Sequence, residues 1–173
     1  MRLFVAVWPS ADVVDVLTGL HRPEVAGVRW TTREQWHVTL RFMGQVADAD
    51  VDAATDAFGH IDASGVGSVS AEMGPATACF GRGILQVPVE GLDELARVTV
   101  EATAAVGQPP DDRPFHGHVT LARARGRKGK GDVRPLRGTP LAARWKVAEL
   151  TLVASTPHRD GARYEVVSSL PLA

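Results

Sequence analysis

The sequence contains the same four-residue motif twice: His37-Val38-Thr39-Leu40 recurs as His118-Val119-Thr120-Leu121. Each copy lies in a run of alternating polar and apolar residues, and this alternation predicts a β-strand. Because successive side chains of a strand point to opposite faces, the histidine and threonine of each copy share one face. The valine and leucine, and Phe42 in the first copy, are expected on the opposite, core-facing side.

A single copy of this motif is most simply interpreted as a half-exposed strand whose polar face includes a histidine. Folding does not require histidine at the same place in two strands, whereas a reaction with a proton donor and a proton acceptor on opposite sides of one atom does. Histidine titrates near about pH 6.5, so one ring can be protonated while the other is not. The pair therefore favours acid–base catalysis, and in-line displacement at phosphorus suits opposed groups of this kind.

Residues beside the two histidines are candidates for holding the phosphate oxygens. Thr39 and Thr120 share strand faces with His37 and His118, where their hydroxyl groups can bind non-bridging oxygens. By the same alternation Arg41 lies on the face of His37, which makes it a candidate phosphate ligand. This chemistry needs no metal or other cofactor, and the sequence has neither an HExxH motif nor a carboxylate-rich cluster. A zinc site with only two histidine ligands would be under-ligated.

Composition limits what else the chain can be. Of its 173 residues 45% are hydrophobic and 23% charged, which is enough for an ordinary core. The formal net charge of -1 argues against a polycation built for nucleic acid. The single cysteine, Cys79, excludes an intramolecular disulfide and is interpreted as a packing residue. The apolar run at the N-terminus is too short to span a bilayer and lacks the order of a signal peptide, so a cytoplasmic protein is expected.

The order of predicted elements is repeated along the chain. A strand over 2–8, a helix over 11–20 and the first histidine strand, near 36–43, are matched by a second series of the same kind. The second series is a strand over 83–89, a helix over 91–106 and the second histidine strand, near 115–123. We interpret this as an internal duplication within a single domain over 1–173. The remaining predicted elements are a helix near 48–59 and strands over 68–73, 145–154 and 163–170.

Longer stretches around both motifs resemble the two-histidine phosphoesterase superfamily, and within it the RNA 2′,3′-cyclic phosphodiesterases of the LigT/ThpR type. The resemblance covers nearly the whole chain, and the stretches that carry it are residues 2–7, 36–44, 115–123 and 161–166. It implies an α+β fold of two pseudo-symmetric lobes, each an antiparallel β-sheet with outer helices. One His-x-Thr from each lobe would face a central cleft.

The resemblance also implies an activity and roles for individual residues. Family members open a terminal 2′,3′-cyclic phosphate of RNA to a 2′-phosphomonoester without a metal, and some show 2′–5′ RNA ligation as a side activity. His37 would be the proton donor and His118 the proton acceptor that activates water. Arg123 has the opposite strand parity from His118, but the resemblance makes it a phosphate-binding residue. The expected partner is an RNA cyclic-phosphate end or a cyclic nucleotide, with no membrane partner and a monomeric state.

The sequence also gives expected locations for several other residues near or outside the motifs. Many relatives carry proline where this chain has Gly117, and His116 before it is interpreted as solvated. Tryptophans 8, 30 and 36 could stack on a base, but core packing is the favoured interpretation. The remaining histidines are expected at the surface, and they are His21, His60 and His158.

The segment 123–137 is the one charge anomaly, with seven basic residues against a single acidic one. Its position directly after the second histidine strand favours a phosphate-facing role over a merely solvated loop. Two other functions stay open at this level. One is an RNA-end or nucleotide binding module without catalysis. The other is a phosphodiesterase for small cyclic phosphates such as a cyclic nucleotide or an ADP-ribose cyclic phosphate.

Overall fold

The computed structural model describes residues 1–125 and 130–172. In this part of the chain three α-helices lie between the strands: α1 (Ala11–Thr18), α2 (Val51–Gly59) and α3 (Asp93–Thr103). None of the described helices is long and apolar enough to cross a membrane. The strands are β1 (Arg2–Val7), β2 (Val28–Trp30), β3 (Val38–Gln45), β4 (Ser70–Met73), β5 (Ala78–Phe80), β6 (Ile84–Glu90), β7 (His118–Ala124), β8 (Ala143–Lys146), β9 (Glu149–Thr156) and β10 (Arg163–Pro171).

The strands pair in antiparallel fashion in the order β10-β9-β1-β3-β7-β6-β4-β8, with β2 added to β7 and β5 added to β6. The strands of the two motifs are β3, which begins directly after His37, and β7, which begins with His118. They are neighbours at the middle of this order, but Val38 and Val119 are their one paired position. The strands therefore diverge on either side of this pair. The result is an antiparallel α+β fold with a cleft at its centre, as predicted.

The predicted order of strand, helix and histidine strand occurs twice in the structure. In the first unit β1 is followed by α1 and pairs with β3, and in the second unit β6 is followed by α3 and pairs with β7. The helix α3 of the second unit packs against β3 of the first, whereas α1 packs against β8, which pairs with β4. That the two units arose by duplication, and that they form one domain, stay predictions.

The core lies on the side of the central strands that faces away from the cleft. Val38 and Val119, the two motif valines, are completely buried there with Leu3, Val5 and Val87. Burying one such side chain stabilises the fold by roughly 1.5–3 kcal/mol. This apolar face anchors both motif strands and orients their polar face toward the cleft.

Three parts of the sheet differ from the sequence-based expectation. The single strand expected over 145–154 is two strands, because β8 pairs with β4 whereas β9 pairs with β1, so the chain changes neighbours between them. The strands β2 and β5 were not anticipated. The three residues of each are too few to show the alternation on which such a prediction depends.

Candidate active site

The Val38–Val119 pair brings the two motifs together. When the antiparallel register is extended by one residue in each direction, His37 lies across from Thr120 and Thr39 lies across from His118. All four side chains line one cleft with a volume of about 390 Å³. The structure thus places both imidazoles and both hydroxyl groups around one space, as the repeated motif predicts.

Backbone carbonyl groups determine which nitrogen of each imidazole faces the cleft. The Nδ1 atom of His37 lies 2.8 Å from the carbonyl oxygen of Gln35, and that of His118 lies 2.7 Å from the carbonyl oxygen of His116. Because a carbonyl oxygen only accepts, each Nδ1 must carry a hydrogen. In the neutral rings Nε2 is therefore the basic nitrogen, and that of His37 lies 3.0 Å from the Thr39 hydroxyl.

The surroundings of the two imidazoles favour their neutral form. Burial lowers the pKa of His37 from 6.5 to about 4, against the opposing effect of the Gln35 hydrogen bond and with smaller contributions from the charges of His118 and Arg123. Burial also lowers the pKa of His118, with a further contribution from Arg123. The His37 ring is enclosed by three aromatic rings, with centroid distances of 4.8 Å to Phe4, 5.3 Å to Trp8 and 5.1 Å to Tyr164.

The depressed pKa of His37 predicts a specific loss of stability in acid. The unfolded chain takes up a proton on this residue near pH 6.5 and the folded chain only near pH 4, so acidification favours the unfolded state. We expect the free energy of unfolding to fall by up to roughly 3 kcal/mol more in the wild type than in His37→Asn between these pH values. Urea denaturation at a series of pH values measures the difference.

The exposed His21 provides the control for this experiment. A His21→Asn variant should follow the pH dependence of the wild type, because it changes an exposed side chain and leaves the aromatic enclosure of His37 intact. If the wild type and His37→Asn lost stability in parallel, the burial of a neutral imidazole would not be the cause.

A β-bulge follows each His-x-Thr sequence and reverses the alternation of the side chains. The pairing of β1 with β3 passes from Thr39 to Arg41 and skips Leu40. The pairing of β6 with β7 passes from Thr120 to Ala122 and likewise skips Leu121. One extra residue in a strand moves every later side chain to the opposite face. The fifth residue after each histidine, Phe42 or Arg123, consequently lines the cleft.

The bulge makes the prediction for Arg41 wrong. This side chain is buried away from the cleft, with 4% of its surface exposed. Its guanidinium group donates to the carbonyl oxygens of Phe42 (2.7 Å), Val106 (3.2 Å) and Gln108. Arg41 therefore ties β3 to the segment that follows α3. The assignment of Phe42 to the core is wrong for the same reason, since 46% of its surface is exposed.

Arg123 lies in the cleft although simple strand parity argues against it. Its guanidinium charge is close enough to lower the pKa of both His37 and His118. The strand geometry continues through this residue, so the bulge at Leu121, rather than a fraying strand, turns the side chain toward the histidines. A positive charge in this position can bind an anion that lies between the two rings.

The structure also places cleft residues that the sequence pattern did not reveal. They come from segments distant in sequence, and they are Arg2, Phe4, Arg29, Thr31, Gln35, Ser155, Ala162 and Tyr164. In the sequence, Arg2 and Phe4 on β1 and Tyr164 on β10 cannot be distinguished from ordinary surface or core residues of a strand. The only available signal was that residues 2–7 and 161–166 belong to the stretches that carry the family resemblance.

The charged groups of the cleft are all positive. Arg2, Arg29 and Arg123 line it, and no carboxylate does so among the described residues. The cleft therefore has a positive potential suited to a phosphate. In residues 1–125 and 130–172, no three His, Cys, Asp or Glu side chains are grouped so that they could hold a metal ion.

Several smaller predictions can be compared with the structure. His116 is exposed, as expected, and contributes its carbonyl oxygen to His118. Trp36 is buried in the core, whereas Trp30 is half-buried. Trp8 is also half-buried and donates from Nε1 to the Thr151 hydroxyl at 2.8 Å. The histidines expected at the surface are all exposed: His21, His60 and His158.

The basic segment 123–137 is only partly described. Residues 126–129 lie outside the described residues, and the phosphate-facing role of the segment stays a prediction. Among its described members Arg134 pairs with Asp132 at 2.7 Å, and Arg123 is the basic residue that lines the cleft. Cys79 is half-buried, and burial raises the pKa of its thiol, which agrees with a packing role.

Comparison with known proteins agrees with this fold. A match to the LigT like Phosphoesterase family covers residues 7–77. An RNA 2′,3′-cyclic phosphodiesterase of Escherichia coli (strain K12) is 29% identical over 170 residues, which cover 94% of this chain and 92% of that protein. The crystal structure of E. coli LigT in apo form superposes with a TM-score of 0.73 at 25% identity, over 98% of this chain and 96% of that chain.

A second curated relative is longer than this chain. The RNA 2′,3′-cyclic phosphodiesterase of Geobacillus stearothermophilus is 28% identical over 155 residues, which are 83% of this chain. The alignment spans 47% of that protein, so the chain corresponds to about half of its length. The antiparallel fold is that of the E. coli LigT structure. The chain is similar to the LigT-like phosphoesterase family over residues 7–77 and to RNA 2′,3′-cyclic phosphodiesterases over most of its length.

Proposed function

We propose that the chain hydrolyses the terminal 2′,3′-cyclic phosphate of RNA to a 2′-phosphomonoester, without a metal ion. The observation that carries this proposal is the convergence of two imidazoles with basic Nε2 atoms on one cleft that is lined by arginines and no described carboxylate. The curated relatives in Geobacillus stearothermophilus and E. coli, which are named for this activity, support it.

The reaction assigns opposite tasks to the two imidazoles. Nε2 of His118 takes a proton from a water molecule as its oxygen attacks phosphorus. The bond between phosphorus and the 3′-oxygen breaks on the opposite side, and protonated His37 gives its Nε2 proton to that departing oxygen. The phosphate stays on the 2′-oxygen. Each proton transfer of this kind typically contributes about 10²–10⁴-fold to the rate.

Three further side chains hold the reacting phosphate in this scheme. The hydroxyl groups of Thr39 and Thr120 donate to non-bridging oxygens, and the Arg123 guanidinium neutralises the charge that develops there. Thr39 also contacts Nε2 of His37, so its hydroxyl group can respond when that ring gains or loses a proton. If a ribose hydroxyl replaces water as the nucleophile, the same groups perform 2′–5′ ligation.

Substrate binding explains how His37 can act as an acid. With a pKa of about 4, its ring is neutral in the empty cleft at pH 7. A phosphate anion beside the ring favours the protonated form, and this attraction is strong because the ring is shielded from water. When the substrate binds, His37 therefore takes up the catalytic proton from solvent on Nε2.

Product analysis on one defined substrate tests the proposal. An RNA oligonucleotide that ends in a 2′,3′-cyclic phosphate is incubated with the protein in the presence of EDTA. We expect conversion to the 2′-monoester only. A 3′-monoester would reverse the direction of bond cleavage, and dependence on added metal would contradict the metal-free reaction. Binding without turnover would indicate a binding module instead.

The pH dependence of the rate is a second prediction. Because both histidines have lowered pKa values in the free protein, the bell-shaped profile of kcat/KM should have its maximum below about pH 6.5. The bound phosphate raises both pKa values, so the profile of kcat should lie at higher pH. Initial rates from about pH 4 to 9 measure both profiles. A rate that does not change over this range would exclude paired imidazoles as the acid and base.

Cyclic mononucleotides and ADP-ribose cyclic phosphate remain alternative substrates, because a cleft of about 390 Å³ can hold a single nucleotide. Assays on these compounds beside RNA rank the candidates. Cytoplasmic location, a monomeric state and the absence of a membrane partner stay predictions.

A further inference from the structure

We propose that Arg29 binds a second phosphate group, the internucleotide phosphate next to the reacting one, and so makes the cleft selective for RNA ends over cyclic mononucleotides. This inference rests on the proposed function, because it concerns the substrate of the same cleft. Arg29 belongs to neither histidine motif nor to the stretches that carry the family resemblance. It lies on β2, the short strand added to the end of β7.

Strand register places Arg29 directly opposite Arg123. In the pairing of β2 with β7 these two residues are partners, and both line the cleft. Side chains in such positions are about 5 Å apart at Cβ, and two like charges there destabilise a sheet. Neither arginine forms an ion pair with another residue in the described part of the chain. Phosphate groups bound to both arginines would remove the repulsion.

The guanidinium group of Arg29 is held at the rim of the cleft. Its Nη1 donates to the carbonyl oxygen of Asp160 in the turn between β9 and β10. Gly161 follows with a φ of 109° and packs so closely that an added Cβ would overlap Arg29 Nη1. Gln35 fastens the same turn by donating to the carbonyl oxygen of Ala162 at 2.9 Å. Arg29 is thus fixed at one nitrogen, which leaves its other donors for a ligand.

The charge of the cleft exceeds that of a cyclic mononucleotide. Arg2, Arg29 and Arg123 contribute three positive charges, and no described carboxylate lines the cleft. A cyclic phosphate diester carries a single negative charge. Each internucleotide phosphate of an RNA chain adds another, so an oligonucleotide matches the cleft better than a mononucleotide does.

The two opposed arginines reach different parts of the cleft. Arg123 lowers the pKa of both histidines, whereas Arg29 is not among the charges that influence them. Burial raises the pKa of the Tyr164 hydroxyl, and both Arg123 and Arg29 oppose that effect. The Tyr164 phenol therefore lies within reach of both charges. The hydrogen bond to the carbonyl oxygen of Asp160 holds Arg29 toward the β9–β10 turn, so we assign Arg123 to the reacting phosphate and Arg29 to the next phosphate of the RNA chain.

The test compares substrates that differ by one phosphate: adenosine 2′,3′-cyclic phosphate and the adenosine dinucleotide ending in the same group. For Arg29→Gln we expect kcat/KM on the dinucleotide to fall about tenfold more than on the mononucleotide, mainly through KM. The slope of log kcat/KM against log salt concentration on the dinucleotide should become shallower by about 0.7. Arg29→Lys, which keeps the charge, should recover part of the loss.

Arg163→Gln is the matched control, since Arg163 is an exposed arginine at the start of β10 that does not line the cleft. It should leave the ratio of the two kcat/KM values unchanged. Equal losses on both substrates for Arg29→Gln would overturn the proposal, because Arg29 would then only stabilise the β9–β10 turn beside Tyr164. If the folded wild type turned over neither substrate, the proposed function would fail. Titration with adenosine 2′-phosphate and the dinucleotide 2′-phosphate would then decide: an unchanged affinity ratio in Arg29→Gln would overturn the inference.

Discussion

Replacing either motif histidine with asparagine is expected to lower kcat on cyclic-phosphate RNA by about 10²–10⁴-fold. Asparagine can still donate an N–H to the carbonyl oxygen of Gln35 or His116, but it has no group in the place of Nε2 that can carry the proton. The double variant should lose little more than either single variant, because the acid and the base act in one step. Single-turnover assays with EDTA present measure these losses.

His116→Asn is the matched control for the histidine variants. His116 is an exposed imidazole two residues before His118, and its hydrogen bond with the site is made by its backbone carbonyl oxygen. Its replacement should change kcat less than threefold, since a surface substitution rarely has a larger effect. Turnover that survived in both His37→Asn and His118→Asn would mean that other residues carry out the chemistry.

The second large effect is expected from replacing Arg123, which lines the cleft, and Arg41, which is buried in the interior. Arg123→Met should lower kcat about 10²-fold, as the removal of one group that stabilises transition-state charge commonly does, with little change in stability. Arg41→Met should instead lower the free energy of unfolding by about 3 kcal/mol, because it leaves buried carbonyl oxygens without donors. Activity assays and urea denaturation on both variants measure the contrast.

One outcome would contradict the assignment of Arg123 to the cleft and Arg41 to the interior. If Arg41→Met kept its stability and lost turnover, Arg41 would reach the phosphate and the alternation without a bulge would be correct. Arg33→Met provides a surface reference for both measurements, because Arg33 is exposed and does not line the cleft.

Local alternation predicted the strands that bear the histidines because it depends only on neighbouring residues. The apolar face of β3 and β7 and the shared face of each His-x-Thr pair follow from a period of two. The same rule failed for Arg41 and Phe42, and it gave Arg123 the wrong face. A β-bulge leaves no composition signal at Leu40 or Leu121, since it is a property of how two strands pair.

The residues that surround the reacting groups could not be predicted from the sequence either. Tyr164 lies 127 positions after His37 in the chain, yet its ring is 5.1 Å from the imidazole. The pKa of His37 depends on this enclosure, and it cannot be read from the neighbours of His37 in sequence. Arg29 likewise became a candidate ligand only when the pairing of β2 with β7 was known.

The amino-acid sequence by itself determined which side chains can do the chemistry, because a motif repeated on two predicted strands specifies two imidazoles and two hydroxyl groups. Tertiary structure alone decided which arginines line the cleft beside them and whether the histidines are neutral or protonated in the free protein. Register, bulges and burial arise from contacts between segments far apart in the chain. These contacts orient Arg123 and Arg29 toward the cleft, direct Arg41 into the interior and remove water from His37.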